Sequence, residues 1–303
     1  MWKKIAFYRL PEQRPEKAVS HAQLPTALIL DSKVRVFFAS RDRAQISSVY
    51  FVDLLLKGPK AAFGEFSKEA ALTPGDIGTF DEHGVFPSSI ARHNGRYFMY
   101  YIGWTKGVEP PLFYAAIGLA VSREGRTFEK RSASPVMGRS DFDPCLVTSP
   151  HIYREKGLWR MNYVSGVKWT REPGGKLQSH YHIKYADSED GLHWNREGRV
   201  AIDFLSGETN IARPTVLKDR DGIYKMWFCY VHSSIGKYRI GFARSHDGYR
   251  WKRRDGESGI DVDDQHAKEM ICYPCVFVHG GRKYMLYNGD NFGQEGFGIA
   301  VWE

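Results

Sequence analysis

Three features of the sequence predict an all-β fold, a five-bladed β-propeller with four antiparallel strands per blade: a long-period repeat, turn chemistry inside it, and abundant aromatic residues. The segments Gly95–Tyr101, Gly157–Tyr163, Gly222–Phe228 and Gly281–Tyr287 share the pattern Gly-x-x-x-Met-x-aromatic. Each methionine follows a proline (Pro87, Pro150, Pro214, Pro274) by eleven or twelve residues. A fifth copy fits Pro25 with Val36 and Phe38, with Ser32 in place of the glycine. Self-similarity with a period of about 60 residues marks stacked or radial repeats of one supersecondary unit.

The strands follow in order within a repeat. The proline opens an apolar strand, and the Gly-x-x-x-Met segment forms a second whose Met positions alternate into the core. A third strand carries Ala-x-Ser, as in Leu119–Ser122, Tyr185–Ser188 and Phe242–Ser245. In each of these copies an aromatic lies six residues after the serine (Phe128, Trp194, Trp251), with Glu-Gly or Asp-Gly between. An acid plus glycine between β-rich runs is hairpin chemistry, because glycine tolerates the positive φ of tight turns. The aromatic and the basic residues after it make a fourth strand. Such four-stranded units, arranged radially, leave only short protected sheet edges. The fifth copy reaches Glu303 without a fourth strand, and Trp2-Lys3-Lys4 resembles Trp251-Lys252-Arg253. The first strand is therefore expected to close the ring, giving one domain over residues 1–303.

Composition narrows the classes further. A chain with 42% hydrophobic and 14% aromatic residues is a folded one, and no apolar run reaches the roughly 20 residues of a membrane span. The apolar start stops at Pro11, which reads as no secretory signal and a cytoplasmic protein. Four cysteines are too few for a disulfide scaffold, and neither Cys272-Tyr-Pro-Cys275 nor His180-Tyr-His182 completes a metal ligand set. No metal or cofactor is expected. The net charge of +8 favours an anionic ligand. The run Arg250-Trp-Lys-Arg-Arg254 reads as a solvated outer strand, so neither nucleic acid nor membrane is an expected partner.

In a propeller the innermost strands converge on a central funnel. Residues just before the Pro-led strands and just after the Met-led strands are expected to face it. The first set offers His21 and Gln23; Asp81, Glu82 and His83; Asp141 and Asp143; Glu208, Asn210 and Arg213; Glu269 and Tyr273. The second offers Arg41 and Asp42, Trp104, Lys168 and Trp169, His232, and Asp290 with Asn291. Asp and Asn are common at turns for local reasons. Acids at equivalent positions in several copies nonetheless point to chemistry, since the repeat itself shows a need only for its proline and methionine.

The repeat pattern, including Ser-x-Asp-Gly-x-x-Trp at Ser188–Trp194 and Ser245–Trp251, resembles the five-bladed propeller glycosidases around glycoside hydrolase families 43, 32 and 130. The resemblance implies a carbohydrate substrate and cleavage of a glycosidic bond by two carboxyl groups, one protonating the leaving oxygen and one activating water. In family 43 the first blade supplies an aspartate base, the third an aspartate and the fourth a glutamate acid. Asp143 and Glu208 fall in matching places, whereas the first blade offers His21 and Gln23. If the chain hydrolyses glycosides, the expected roles are Glu208 as general acid, Asp81 or Glu82 as base and Asp143 orienting the sugar or tuning the acid's pKa, and the resemblance implies an inverting outcome. Arg41, Arg213 and His232 would hold an anionic group or sugar hydroxyls, and Trp104 and Trp169 would stack on sugar rings. Asp42, His83, Glu269, Tyr273, Asp290 and Asn291 complete the expected substrate contacts. Two alternatives stand beside hydrolysis. Phosphorolysis or another glycosyl transfer to an anionic acceptor needs one protein acid, and a non-catalytic glycan-binding propeller needs none.

Overall fold

A computed structural model describes residues 1–263 and 265–303. Among the described residues the fold is all-β, its strand pairs antiparallel but for isolated parallel bridges, with two short helical turns. Each repeat forms its strands where the pattern places them, except the outer strand of the third. The first four-stranded sheet runs in order through Ser20–Ile29, Val34–Arg41, Ser47–Lys57 and Lys60–Phe66. The second runs through Val85–His93, Arg96–Lys106, Phe113–Ser122 and Glu129–Lys130. The third and fourth repeats, beginning at Leu146–Glu155 and Glu208–Lys218, share one eight-stranded sheet. A single parallel pairing of Tyr181 with Asn210 joins them. The last sheet contains Cys272–His279, Arg282–Asn288 and Gly296–Trp302, and Trp2–Arg9 pairs antiparallel with its outer edge, Trp2 opposite Trp302.

The third repeat departs from expectation in its outer strand. Instead of a regular fourth strand after Trp194, it has one bridge between Asp187 and Asn195 and a short strand, Val200–Ile202. Arg196, just after this bridge, reaches Asp143 at 3.0 Å.

The five Pro-led strands are innermost, and each packs against the next, with Cys272–His279 against Ser20–Ile29. Apolar clusters fill the space between successive repeats. Met99 and Tyr101 face Phe37 and Val49 of the first repeat, while Tyr100 faces Met161 and Tyr163 of the third. That alternation is the two-residue period of a strand, and it gives each strand a partner on both sides. Met99, Met161, Met226 and Met285 are all fully buried, as the repeat predicts. Full burial of such a side chain contributes about 1.5–3 kcal/mol. In the second, fourth and fifth repeats a glycine on the third strand leaves room for the aromatic two residues after the Met, whereas in the third repeat Lys184 stands opposite Tyr163. A Cβ at Gly118 would come 2.2 Å from the Tyr101 ring, and one at Gly298 2.1 Å from Tyr287. Among the described residues no helix is long and apolar enough to cross a membrane.

Every innermost strand breaks register at its proline. The residue before the proline has a left-handed backbone at Leu24, Ser149, Arg213 and Tyr273, with φ between 48° and 56°. Residues before proline normally stay extended, and this conformation costs non-glycine residues on the order of 1–3 kcal/mol. The resulting bulge re-aims side chains at the end of the strand, as bulges do beside functional sites.

Candidate functional site

The bulged strands surround a cavity of about 510 Å³. Gln23 and Leu24, Phe86, Thr148 and Ser149, Ala212 and Tyr273 line it from the five innermost strands. Arg41, Ile102, Trp104 and Lys106 come from the second strands, and Tyr181 and Tyr238 from the third. The segment Gly107–Phe113 forms one wall. Tyr181 and Tyr238 share a short hydroxyl hydrogen bond. Phe292, left-handed at φ 59°, stacks on Tyr273 with ring centroids 6.2 Å apart. The lining therefore combines aromatic faces, neutral hydrogen-bonding groups and two cations. It includes no Asp or Glu among the described residues.

Four of the expected site residues belong to this wall: Gln23, Arg41, Trp104 and Tyr273. Gln23 Oε1 accepts a hydrogen bond of 2.7 Å from the Arg41 guanidinium. His21 stands beside them, its Nδ1 2.8 Å from Ser20 Oγ. Burial and the nearby Arg41 charge push its pKa down to about 4, so the ring is neutral at pH 7.

The expected catalytic carboxylates lie elsewhere. Asp81 is buried, bonded by the Tyr101 hydroxyl at 2.9 Å and paired with Lys130 at 2.6 Å. Asp143 is buried against Arg196 at 3.0 Å, Lys184 at 3.6 Å and the Tyr163 hydroxyl. Glu208, its side chain 2% exposed, receives two 2.7 Å bonds from Arg253. Asp263 pairs with Lys4 in the same manner at 2.7 Å. The four acids answer a structural need of the repeat. Each meets a cation from the outer part of its own repeat, and Lys130, Arg253 and Lys4 also lie over the rings of Tyr101, Phe228 and Tyr287. The recurring acids thus share one kind of partner, a cation from the outer part of the same repeat, and they lie outside the cavity wall. Arg253 is one of these cations, so the basic run at 250–254 is only partly a solvated face.

The remaining candidates have local partners. Glu82 accepts the Gly78 N–H and lies 3.2 Å from the His83 ring. Asp42 accepts two N–H groups of its own turn, and Asp290 accepts three, from Lys268, Glu269 and Met270. Glu269 pairs with Lys237, and His232 bonds Ser234 and the Ser206 carbonyl. Trp169 packs edge-on against Phe113 behind the cavity wall. Asn291 sits left-handed in the loop before Phe292. Among the described residues no three His, Cys, Asp or Glu side chains are grouped to hold a metal.

Arg213 lies on the axis, 2% exposed, and ties three innermost strands together. Its guanidinium donates to Ser88 O at 2.7 Å, Ser88 Oγ at 2.6 Å and Thr26 Oγ1 at 2.8 Å. It has no carboxylate within reach among the described residues, and its Nε has no partner. Nearby, His151 Nε2 lies 3.0 Å from the Val216 carbonyl, and burial with the Arg213 charge pushes its pKa down to about 4. Unfolded histidine titrates near 6.5, so between pH 6.5 and 4 the unfolded chain binds more protons and stability falls as pH falls. His151 is expected to account for about 3 kcal/mol of that loss, at roughly 1.4 kcal/mol per pH unit. Urea unfolding at pH 7 and pH 4 checks this: His151→Gln should flatten the difference by that amount, and an unchanged difference refutes it.

Lys106, Phe86, Thr148, Ser149, Tyr181 and Tyr238 were not among the expected contacts. For three of the innermost strands the signal was the residue immediately before the repeat proline, or the one preceding it, rather than residues further upstream.

No family model matches the chain. The uncharacterized protein Rv1502 of Mycobacterium tuberculosis (strain ATCC 25618 / H37Rv) is 38% identical over 309 aligned positions, covering 100% of this chain and 99% of the relative. Among solved structures, a glycoside hydrolase superposes with a TM-score of 0.73 at 17% identity, covering 100% of this chain and 92% of its own. A glycosyl hydrolase from Bacteroides ovatus gives 0.69 at 15% identity, over 99% and 94%. The GH32 β-fructofuranosidase BmSUC1 of Bombyx mori gives 0.67 at 14% identity, over 97% of this chain and 63% of that one. The chain thus belongs to the family of the mycobacterial protein Rv1502 and has the fold of the propeller glycoside hydrolases of the family 43 and family 32 type.

Proposed function

We propose that this chain binds a carbohydrate in the central cavity, on a five-bladed ring of the glycoside hydrolase type, without two-carboxylate catalysis. The wall of the cavity carries this reading: aromatic faces and neutral hydrogen-bonding groups suit a sugar, and no Asp or Glu among the described residues lines it. The contacts of each innermost strand with the next, and of the fifth with the first, support the five-bladed ring. A Bombyx mori enzyme with this fold is described in complex with sucrose, which supports a sugar as the ligand class.

Glycosidic-bond hydrolysis is the second reading, favoured by the shared fold. It needs a proton donor and a base in the cavity, and the inverting outcome needs both on opposite sides of the bond. The groups that reach the cavity are Tyr, Ser and Thr hydroxyls and cations, while burial raises the pKa of Tyr181, Tyr238 and Tyr273 and keeps them protonated at neutral pH. Calorimetric titration with mono- and disaccharides, run beside release of nitrophenol from nitrophenyl glycosides, separates the two. Saturable binding weakened at least tenfold by Trp104→Ala, with no turnover, is the expected result. Turnover abolished by Glu208→Gln in a folded protein establishes the hydrolase instead.

A further inference from the structure

The enclosed guanidiniums of this protein divide into two groups. Those of Arg35, Arg160, Arg196 and Arg253 each meet a carboxylate within 3.0 Å. Arg41, in the cavity wall, meets none within 4.0 Å among the described residues. Its partners are amide oxygens, Gln23 Oε1 at 2.7 Å and Gln45 Oε1 at 3.4 Å. The neighbouring Asp42 has turned its Oδ1 to the N–H groups of Ala44 and Ile46. Lys106, exposed to solvent, adds a second cation to the same wall, again without a carboxylate among the described residues, so that the cost of enclosure falls on the arginines. Beneath the wall, Arg213 contributes a third positive charge held only by neutral oxygens.

Uncompensated positive charge is costly in a partly enclosed site, because desolvation weakens its hydration without replacing it. Low-dielectric walls also focus the field of such charges into the cleft. An anion entering the cavity would relieve this cost, and a guanidinium offers carboxylate or phosphate oxygens two parallel donors. We propose that the cavity selects an acidic sugar, its carboxylate or phosphate seated on the Arg41 guanidinium with Lys106 as the second cation. This rests on the reading that the cavity takes carbohydrate, and it adds the substrate class.

The test is calorimetric titration of the intact protein, of Arg41→Gln and of Lys106→Gln. The probes are glucose, glucuronate, glucose 6-phosphate and inorganic phosphate. At least one acidic sugar is expected to bind tenfold or more tighter than glucose, and whichever does so tells carboxylate from phosphate. Arg41→Gln should reduce that preference to under threefold, and Lys106→Gln should reduce it by a smaller factor. Glucose binding as tightly as both acidic sugars, or a preference that survives Arg41→Gln, overturns the proposal. If no sugar binds while inorganic phosphate binds the intact protein and not Arg41→Gln, the anion site stands and the carbohydrate reading falls. If inorganic phosphate binds both proteins equally, or neither, and no sugar binds, both fall.

Discussion

Replacing Asp143 by alanine is expected to lower the unfolding free energy by about 3–5 kcal/mol, the usual result of stranding a buried charge. The carboxylate is completely enclosed and holds Arg196 at 3.0 Å and Lys184 at 3.6 Å, and it accepts from the hydroxyls of Tyr163 and Ser140. Alanine would leave two cations, with side chains 18% and 7% exposed, facing one another without the anion between them. Coulomb repulsion and lost hydrogen bonds then act in the same direction. Urea unfolding measures the change directly, and a loss below 1 kcal/mol would show that Asp143 does not hold the two cations. Sugar affinity of the folded variant should stay within about twofold, because Asp143 does not line the cavity.

For Arg213→Ala the opposing effects have to be weighed. The substitution removes a buried charge that lacks a carboxylate, which favours the variant by several kcal/mol. Against this, it removes three short charge-assisted hydrogen bonds, each contributing about 1.5–3 kcal/mol, and opens a void where three strands meet. The bonds and the void together exceed the relief, so a net loss of about 3 kcal/mol is expected. Arg213→Met divides the causes, since it fills most of the space without charge or donors. Equal losses in both variants assign the effect to the hydrogen bonds, and recovery in the methionine variant assigns it to packing. Wild-type stability in the alanine variant would refute the tie altogether.

The strands were legible because their signals are local. Gly-x-x-x-Met, the prolines and the Ser-x-Asp-Gly turns each act within a dozen residues, and the turns close as read, with Ser188 Oγ and Ser245 Oγ accepting from Gly191 N and Gly248 N. The role of the acids was not legible in the same way. Glu208 finds its partner 45 residues later and Asp143 finds its partner 53 residues later, beyond the reach of any motif read near the proline. The acids also matched the placement that a family resemblance assigns to catalysis, so two explanations converged on the same residues. What separates them is direction. In four of the five innermost strands a left-handed residue stands before the proline, at Leu24, Ser149, Arg213 and Tyr273, and such backbone handedness is invisible in residue types.

The tie at Arg213 also governs the order in which this chain can assemble. It joins residues 125 and 187 positions apart, and the last sheet needs Trp2 against Trp302. Contacts of such separation carry the full entropy of closing long loops before they return any stability, which places the protein among the slow folders. A nascent chain can form its hairpins one after another as they emerge. Its axis stays untied until the fourth repeat arrives, and its first strand, Trp2–Arg9, waits with an unpaired edge until Gly296–Trp302 has been made.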